Sequence, residues 1–117
     1  MDDVRVTVRS VHTFPERGRD GLSHAERRVE VEGLAGDRPK KAAVSLVGDD
    51  SPHTRANLVL DVPTDQVEAL AGRVLRVGDV LLAAEATGNH CAGLYASVGE
   101  PGTVRVGDGV EVVEDPS

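Results

Sequence analysis

Short runs of alternating apolar and polar residues, each cut off by glycine, proline or aspartate, fill most of this chain. Val4, Val6 and Val8 alternate with Arg5, Thr7 and Arg9; Val29 and Val31 alternate with Glu30 and Glu32; Ala42 to Val47, Leu58 to Val62 and Val80 to Ala86 are further β-like runs. A period of two puts one face of each run in a core and the other in solvent, which predicts many short strands. Pro15 to Ser23, rich in glycine and charge, reads as a loop, and Gly48-Asp49-Asp50-Ser51-Pro52 reads as a turn or a mobile loop. The core must be built without large rings, because the 117 residues include one Phe, one Tyr and no Trp. Val, Leu and Ala therefore supply the buried area, through many small contacts. This length suits one domain, residues 1–117, with a single core.

One helix is expected, near residues 64–71. Thr64 can cap it, Asp65 suits the positive end of its dipole, and Val67, Leu70 and Ala71 share a face. Gly72 can end it in the left-handed conformation. Further on, Leu75-Arg76-Val77-Gly78-Asp79-Val80 is echoed by Val104-Arg105-Val106-Gly107-Asp108-Gly109-Val110, as if two equivalent corners of a small barrel were each turned by Gly-Asp. The fold class that follows is mostly β, a small closed β-barrel with one short helix.

The formal net charge of −7 makes nucleic acid a poor partner, since binding it rests on Lys and Arg neutralising phosphates. The single cysteine excludes an intrachain disulfide. Met1-Asp2-Asp3 lacks the basic start of a signal peptide, and no apolar run approaches the roughly 20 residues of a membrane helix. No membrane association is expected, and the cytoplasm is the default compartment.

Chemistry is concentrated in Thr87-Gly88-Asn89-His90-Cys91-Ala92-Gly93. A cysteine on a glycine-flanked loop can be accessible, and His90 beside it can raise its thiolate fraction, making Cys91 a nucleophile, a sulfur carrier or a soft-metal ligand. The competing reading is a small buried hydrophobe. One Cys and four isolated His (His12, His24, His53, His90) do not make a structural zinc site, and no Gly-x-Ser-x-Gly elbow marks a serine hydrolase. Arg55 and Asn57 open the run at Leu58. They are either an anion ligand and a loop anchor, or a solvated cation and a turn residue. Gly36-Asp37-Arg38 is a turn, or an anion-binding corner if its amides converge.

Four ordered blocks resemble the MOSC family, the C-terminal domain of molybdenum cofactor sulfurases. They are Gly33-Leu34-Ala35-Gly36-Asp37-Arg38 leading into Ala43-Val44-Ser45-Leu46; Arg55-Ala56-Asn57-Leu58; Gly72-Arg73-Val74-Leu75-Arg76-Val77-Gly78-Asp79; and Cys91 followed by Gly102-Thr103-Val104-Arg105-Val106-Gly107-Asp108-Gly109-Val110, covering about residues 29–114. The resemblance implies a barrel like the β-barrel domain of pyruvate kinase and a role in molybdenum cofactor (molybdopterin) binding or sulfur transfer. It implies Cys91 as metal ligand or persulfide carrier tuned by His90, and Arg38, Arg55 and Asn57 as cofactor-binding residues. It also implies a sulfur donor or a molybdoenzyme as partner, because nothing here resembles the pyridoxal phosphate segment of the full sulfurases. The chain departs from the family pattern in having Pro39-Lys40-Lys41 where members often carry a His, and Gly88-Asn89-His90 before the cysteine. A non-catalytic barrel that binds a ligand or partner, with a passive Cys91, is the alternative. A thiol redox sensor comes third, since the chain has no resolving cysteine. Whether the chain turns anything over stays open.

Overall fold

The computed structural model describes residues 6–16, 20–38, 42–51, 55–88 and 91–113. Along the chain these form β1 (Val8–Thr13), β2 (Leu22–His24), β3 (Glu26–Glu30), β4 (Gly33–Leu34), β5 (Val44–Gly48), β6 (Leu58–Leu60), α1 (Thr64–Glu68), β7 (Val74–Val77), β8 (Val80–Ala86), β9 (Leu94–Glu100), β10 (Gly102–Arg105) and β11 (Val110–Val113). Eight strands make one sheet in the order β11-β7-β8-β9-β5-β6-β1-β2, and β10-β3-β4 make a second. Neighbours are antiparallel except β5 and β6, which run parallel with Leu46 opposite Leu58 and Gly48 opposite Leu60. The α1 segment lies in the connection that follows β6 and packs on β5.

The large sheet curls until β1 meets the turn that leads into β11. There Val8 N–H donates to the Asp108 carbonyl at 2.9 Å, Gly107 N–H to the Val8 carbonyl at 2.8 Å, and Val110 N–H to the Val6 carbonyl at 2.8 Å. Thr7 and Gly109 form an antiparallel bridge at the same place. This backbone seam gives the barrel the closure expected of it, and β1 shares that edge between the seam and β2, which pairs with Val11–Thr13. Val29, Leu34 and Val104 of the small sheet enter the same core as the leucines and valines of the large one. That core is aliphatic: its largest fully buried side chains are Leu46, Leu58, Leu60, Leu75, Leu82 and Leu94.

Several local expectations change. Thr64 is the first helical residue and not the cap; Pro63 occupies the cap position without a side-chain bond, and α1 ends at Glu68, short of residue 71. The Thr64 hydroxyl is turned inward instead. It donates to Asp50 Oδ1 and accepts from Gly48 N–H at 3.0 Å, and Asp50 Oδ1 also accepts Thr64 N–H at 2.9 Å. A carboxylate from the β5–β6 loop thus takes the cap's role, and these bonds hold Asp50 below the usual carboxylate range. Gly72 does adopt φ +83°, as expected of a helix terminator. Part of the loop read over residues 15–23 is strand β2, and Gly33-Leu34 is strand rather than punctuation. Val31, placed on a buried face by alternation, is 65% exposed in the turn after β3. The two Gly-Asp corners are not equivalent: Gly78-Asp79 turns the β7–β8 hairpin, whereas Gly107-Asp108 carries the chain from one sheet to the other.

Alternation also breaks inside β1. Val8 pairs with Leu60 but Ser10 pairs with Val59, so the register slips at Arg9. The bulge lets Val8 and Val11 both point into the core although they are an odd three positions apart. Ser10 and His12, two positions apart and flanking Val11, therefore lie on the outer face.

Candidate functional site

A cleft of about 80 Å³ opens beside the end of β1 and is lined by Phe14, Asp37, Arg38 and Arg55. Its floor is set by the turn after β4. Gly36, at φ +87°, allows the chain to reverse, and Asp37 N–H closes the turn on the Leu34 carbonyl at 3.0 Å. Arg27 steadies the same turn by donating from Nε to the Ala35 carbonyl at 2.7 Å. Asp37 then holds two segments together: Oδ1 accepts Phe14 N–H at 2.7 Å and Oδ2 accepts Asn57 Nδ2–H at 3.0 Å. Phe14 forms a wall, and the Arg55 guanidinium lies over its ring, 4.5 Å from the centroid. Such a contact is worth about 0.5–1 kcal/mol at an exposed site and fixes the cation over the ring. Among the described residues Arg38 forms no ion pair. The cleft therefore brings together Arg38 and Arg55, both singled out in the sequence.

Asn57 belongs to the frame of this cleft and does not line it. It is fully buried. Nδ2 donates to Asp37 and to the His12 carbonyl at 3.1 Å, and Oδ1 accepts Ser45 N–H at 3.0 Å. With both amide hydrogens used inside the fold, Asn57 ties β1, β5 and the turn at Asp37 to one another and thereby places the carboxylate.

Cys91 is exposed, and Thr87 Oγ1 donates to its carbonyl at 3.0 Å. The loop is anchored behind it by Gly93, whose N–H donates to Glu68 Oε2 of α1 at 2.8 Å. Gly93 has φ +90°, and an added Cβ would fall on the Leu46 carbonyl, so only glycine permits this approach. His90, the expected tuning residue, lies outside the described residues, as do Lys40 and Lys41.

The structure does not bring Cys91 to the arginines. Leu94 pairs with Leu46 and Gly93 approaches Val47, so the cysteine loop emerges beyond the Leu46–Gly48 end of β5. Asn57 meets Ser45, and Gly33 approaches the Ala43 carbonyl, so the cleft lies toward the other end. The five residues of β5 alone span roughly 13 Å at about 3.3 Å per residue. Among the described residues, no group of three or more His, Cys, Asp or Glu is placed to hold a metal ion. The cleft has room and charge for a phosphate-sized anion. It does not fit a shared site in which Cys91 would bind the metal of the same ligand.

No known protein family matches this chain, and no curated protein matches it in sequence. Solved structures do. A hypothetical protein superposes with a TM-score of 0.74 at 19% identity, covering 97% of this chain and 70% of that one. YiiM from Escherichia coli gives 0.70 at 19% identity, over 98% of this chain and 72% of its own. The YUAD protein from Bacillus subtilis gives 0.73 at 12% identity, over 93% and 96%. At these identities the likeness concerns the fold, which is consistent with the MOSC-like barrel expected from the order of motifs.

Two residues of the cleft were not legible as such. Phe14 carried no signal beyond being the sole Phe, and it is held at the cleft, just past the end of β1, by its N–H bond to the Asp37 carboxylate. Asp37 was read as part of a turn or of an anion-binding corner built from backbone amides, with no role for its side chain, yet its carboxylate joins Phe14 to Asn57.

Proposed function

We propose that this protein is a MOSC-like module that binds a phosphate-bearing ligand at the Arg38–Arg55–Phe14 cleft, with the phosphate end of molybdopterin as the expected occupant. Cys91 would act apart from that cleft, as an exposed sulfur carrier. The observation that carries this reading is the pairing of two arginines across a cleft whose aromatic wall and carboxylate are fixed by Asn57. In this arrangement Arg55, preset over Phe14, places one guanidinium charge at the cleft, and Arg38 supplies a second cation. Asp37 stays engaged with Phe14 N–H and Asn57, which keeps its charge from facing the anion alone. When bound, the pterin cofactor would supply the metal and dithiolene chemistry; the residues of this chain would orient its phosphate. Sulfur on Cys91 would come from a donor enzyme and pass to a molybdoenzyme, since exposure lets a partner reach it.

Native mass spectrometry of protein purified anaerobically from a molybdenum cofactor-producing host tests both halves. A cofactor mass retained by Cys91→Ser and lost by Arg55→Gln is expected, together with one added sulfur on the wild type that Cys91→Ser lacks. A cofactor lost with Cys91→Ser would refute the two-site arrangement. Bare protein throughout would favour the non-catalytic barrel, for which the separation of Cys91 from the cleft already speaks.

A further inference from the structure

The outer face of β1 carries a second arrangement that the cleft does not use. His12 Nε2 lies 2.9 Å from Ser10 Oγ, and His12 Nδ1 lies 3.3 Å from Ser23 Oγ on β2, where His12 and Ser23 are paired in register. Both ring nitrogens thus meet a hydroxyl. Ser10 and His12 share a face through the ordinary period-two pleat of β1, and the bulge between Val8 and Ser10 turns that face outward while Val8 stays in the core. A hydroxyl against one nitrogen of an imidazole, with a third group holding the other nitrogen, is the layout of an activated nucleophile.

We propose that Ser10 is a nucleophile activated by His12, with Ser23 orienting the imidazole, and that it accepts the acyl group of small carboxylic esters. The tautomer with its proton on Nδ1 donates to Ser23 and leaves Nε2 to accept the Ser10 proton. As Ser10 Oγ bonds to the carbonyl carbon, its proton passes to Nε2. The tetrahedral adduct then expels the alkoxide, which takes that proton and leaves as alcohol. Water attacks the acyl-serine in the same way, its proton going to Nε2, and the collapse releases the carboxylic acid and restores the Ser10 hydroxyl. No electrons are exchanged. Burial holds His12 below the usual histidine range, which keeps the ring in its neutral, proton-accepting form at pH 7. His24 Nε2 contacts Thr13 Oγ1 at 2.8 Å and not the Ser10 pair, and its own titration is lowered by burial, then Arg27, then His12.

The test is labelling with a serine-directed fluorophosphonate, read by intact mass and peptide mapping, with the release of p-nitrophenol from p-nitrophenyl acetate measured in parallel on Cys91→Ser protein. One adduct on Ser10 is expected, absent from Ser10→Ala and slowed by more than about tenfold in His12→Asn. Its rate should rise as pH climbs through the depressed His12 titration. If a variant does not fold, the wild-type peptide map and pH profile still decide. No adduct, an adduct on another residue, or labelling indifferent to His12→Asn and to pH overturns the proposal.

Discussion

Removing the Asn57 amide would strand partners on three segments at once, because Ser45 N–H, the His12 carbonyl and Asp37 all lose a buried bond. Each buried polar group left unpaired costs about 1–3 kcal/mol, so Asn57→Ala should destabilise the fold by about 2–4 kcal/mol, read as a lower urea midpoint with unchanged slope. The same variant should weaken anion binding at the cleft, since Asp37 no longer has its second anchor. Cys91 makes the opposite case. Its exposure predicts that Cys91→Ser moves stability by no more than about 0.5 kcal/mol and that the native thiol is alkylated without denaturant. A thiol that reacts only after unfolding would contradict that placement. Gly93→Ala, two positions on, should be far more costly than Cys91→Ser, at about 3 kcal/mol or more, because strain at positive φ adds to a collision with the Leu46 carbonyl.

At the scale of elements, the β1–β2 hairpin carries two histidines whose neutral forms the fold favours. Burial lowers His12; burial, then Arg27, then His12 lower His24. The unfolded chain therefore binds more protons than the native one once pH falls below the unperturbed value of 6.5, and stability declines with pH from there toward the depressed native values. Urea midpoints at pH 7.5 and 5.5 should show this loss, and the double change His12→Gln and His24→Gln should flatten it. Asp61 adds a similar slope at lower pH, because Thr7 N–H and hydroxyl hold its carboxylate below the usual range. How legible these elements were depends on what made them. Runs such as Val80–Ala86, whose face is set by alternation, could be read directly, as could Gly72 at the end of the helix. β2 could not, since three residues in a glycine-rich stretch become a strand only by pairing with β1. β9 passed unnoticed although Leu94, Ala96 and Val98 alternate, and it is the strand that joins β8 to β5. The site followed the same rule. Arg38 and Arg55 were marked by residue type, while their union with Phe14 depends on the Asp37 carboxylate and the buried Asn57 amide, which no local pattern announces, and the separation of Cys91 depends on strand order.

For the whole molecule, closure rests on a few backbone bonds between residues 6–8 and 107–110, not on side chains. If the barrel behaves as one cooperative unit, the amides of Val8 and Val110 should exchange with solvent as slowly as that of Leu46 in the central strand β5. Fast exchange at the seam with slow exchange at Leu46 would mean that the sheet opens there while the core stays formed. The aliphatic core bears on this as well. With no aromatic anchor among its buried residues, cohesion is spread over many similar Val and Leu contacts, which favours melting as a single event.

The position of the seam has a consequence for the protein's synthesis. The strand that completes the barrel is β11, and its partner across the seam is β1, which is synthesised before every other strand of the sheet. Throughout translation the edge of β1 has no partner in the nascent chain beyond what β2 and β6 cover, and an unpaired edge is a template for the wrong neighbour. The bulge at Arg9 bends that edge and places a charge on it, which guards the growing polypeptide until its last strand arrives.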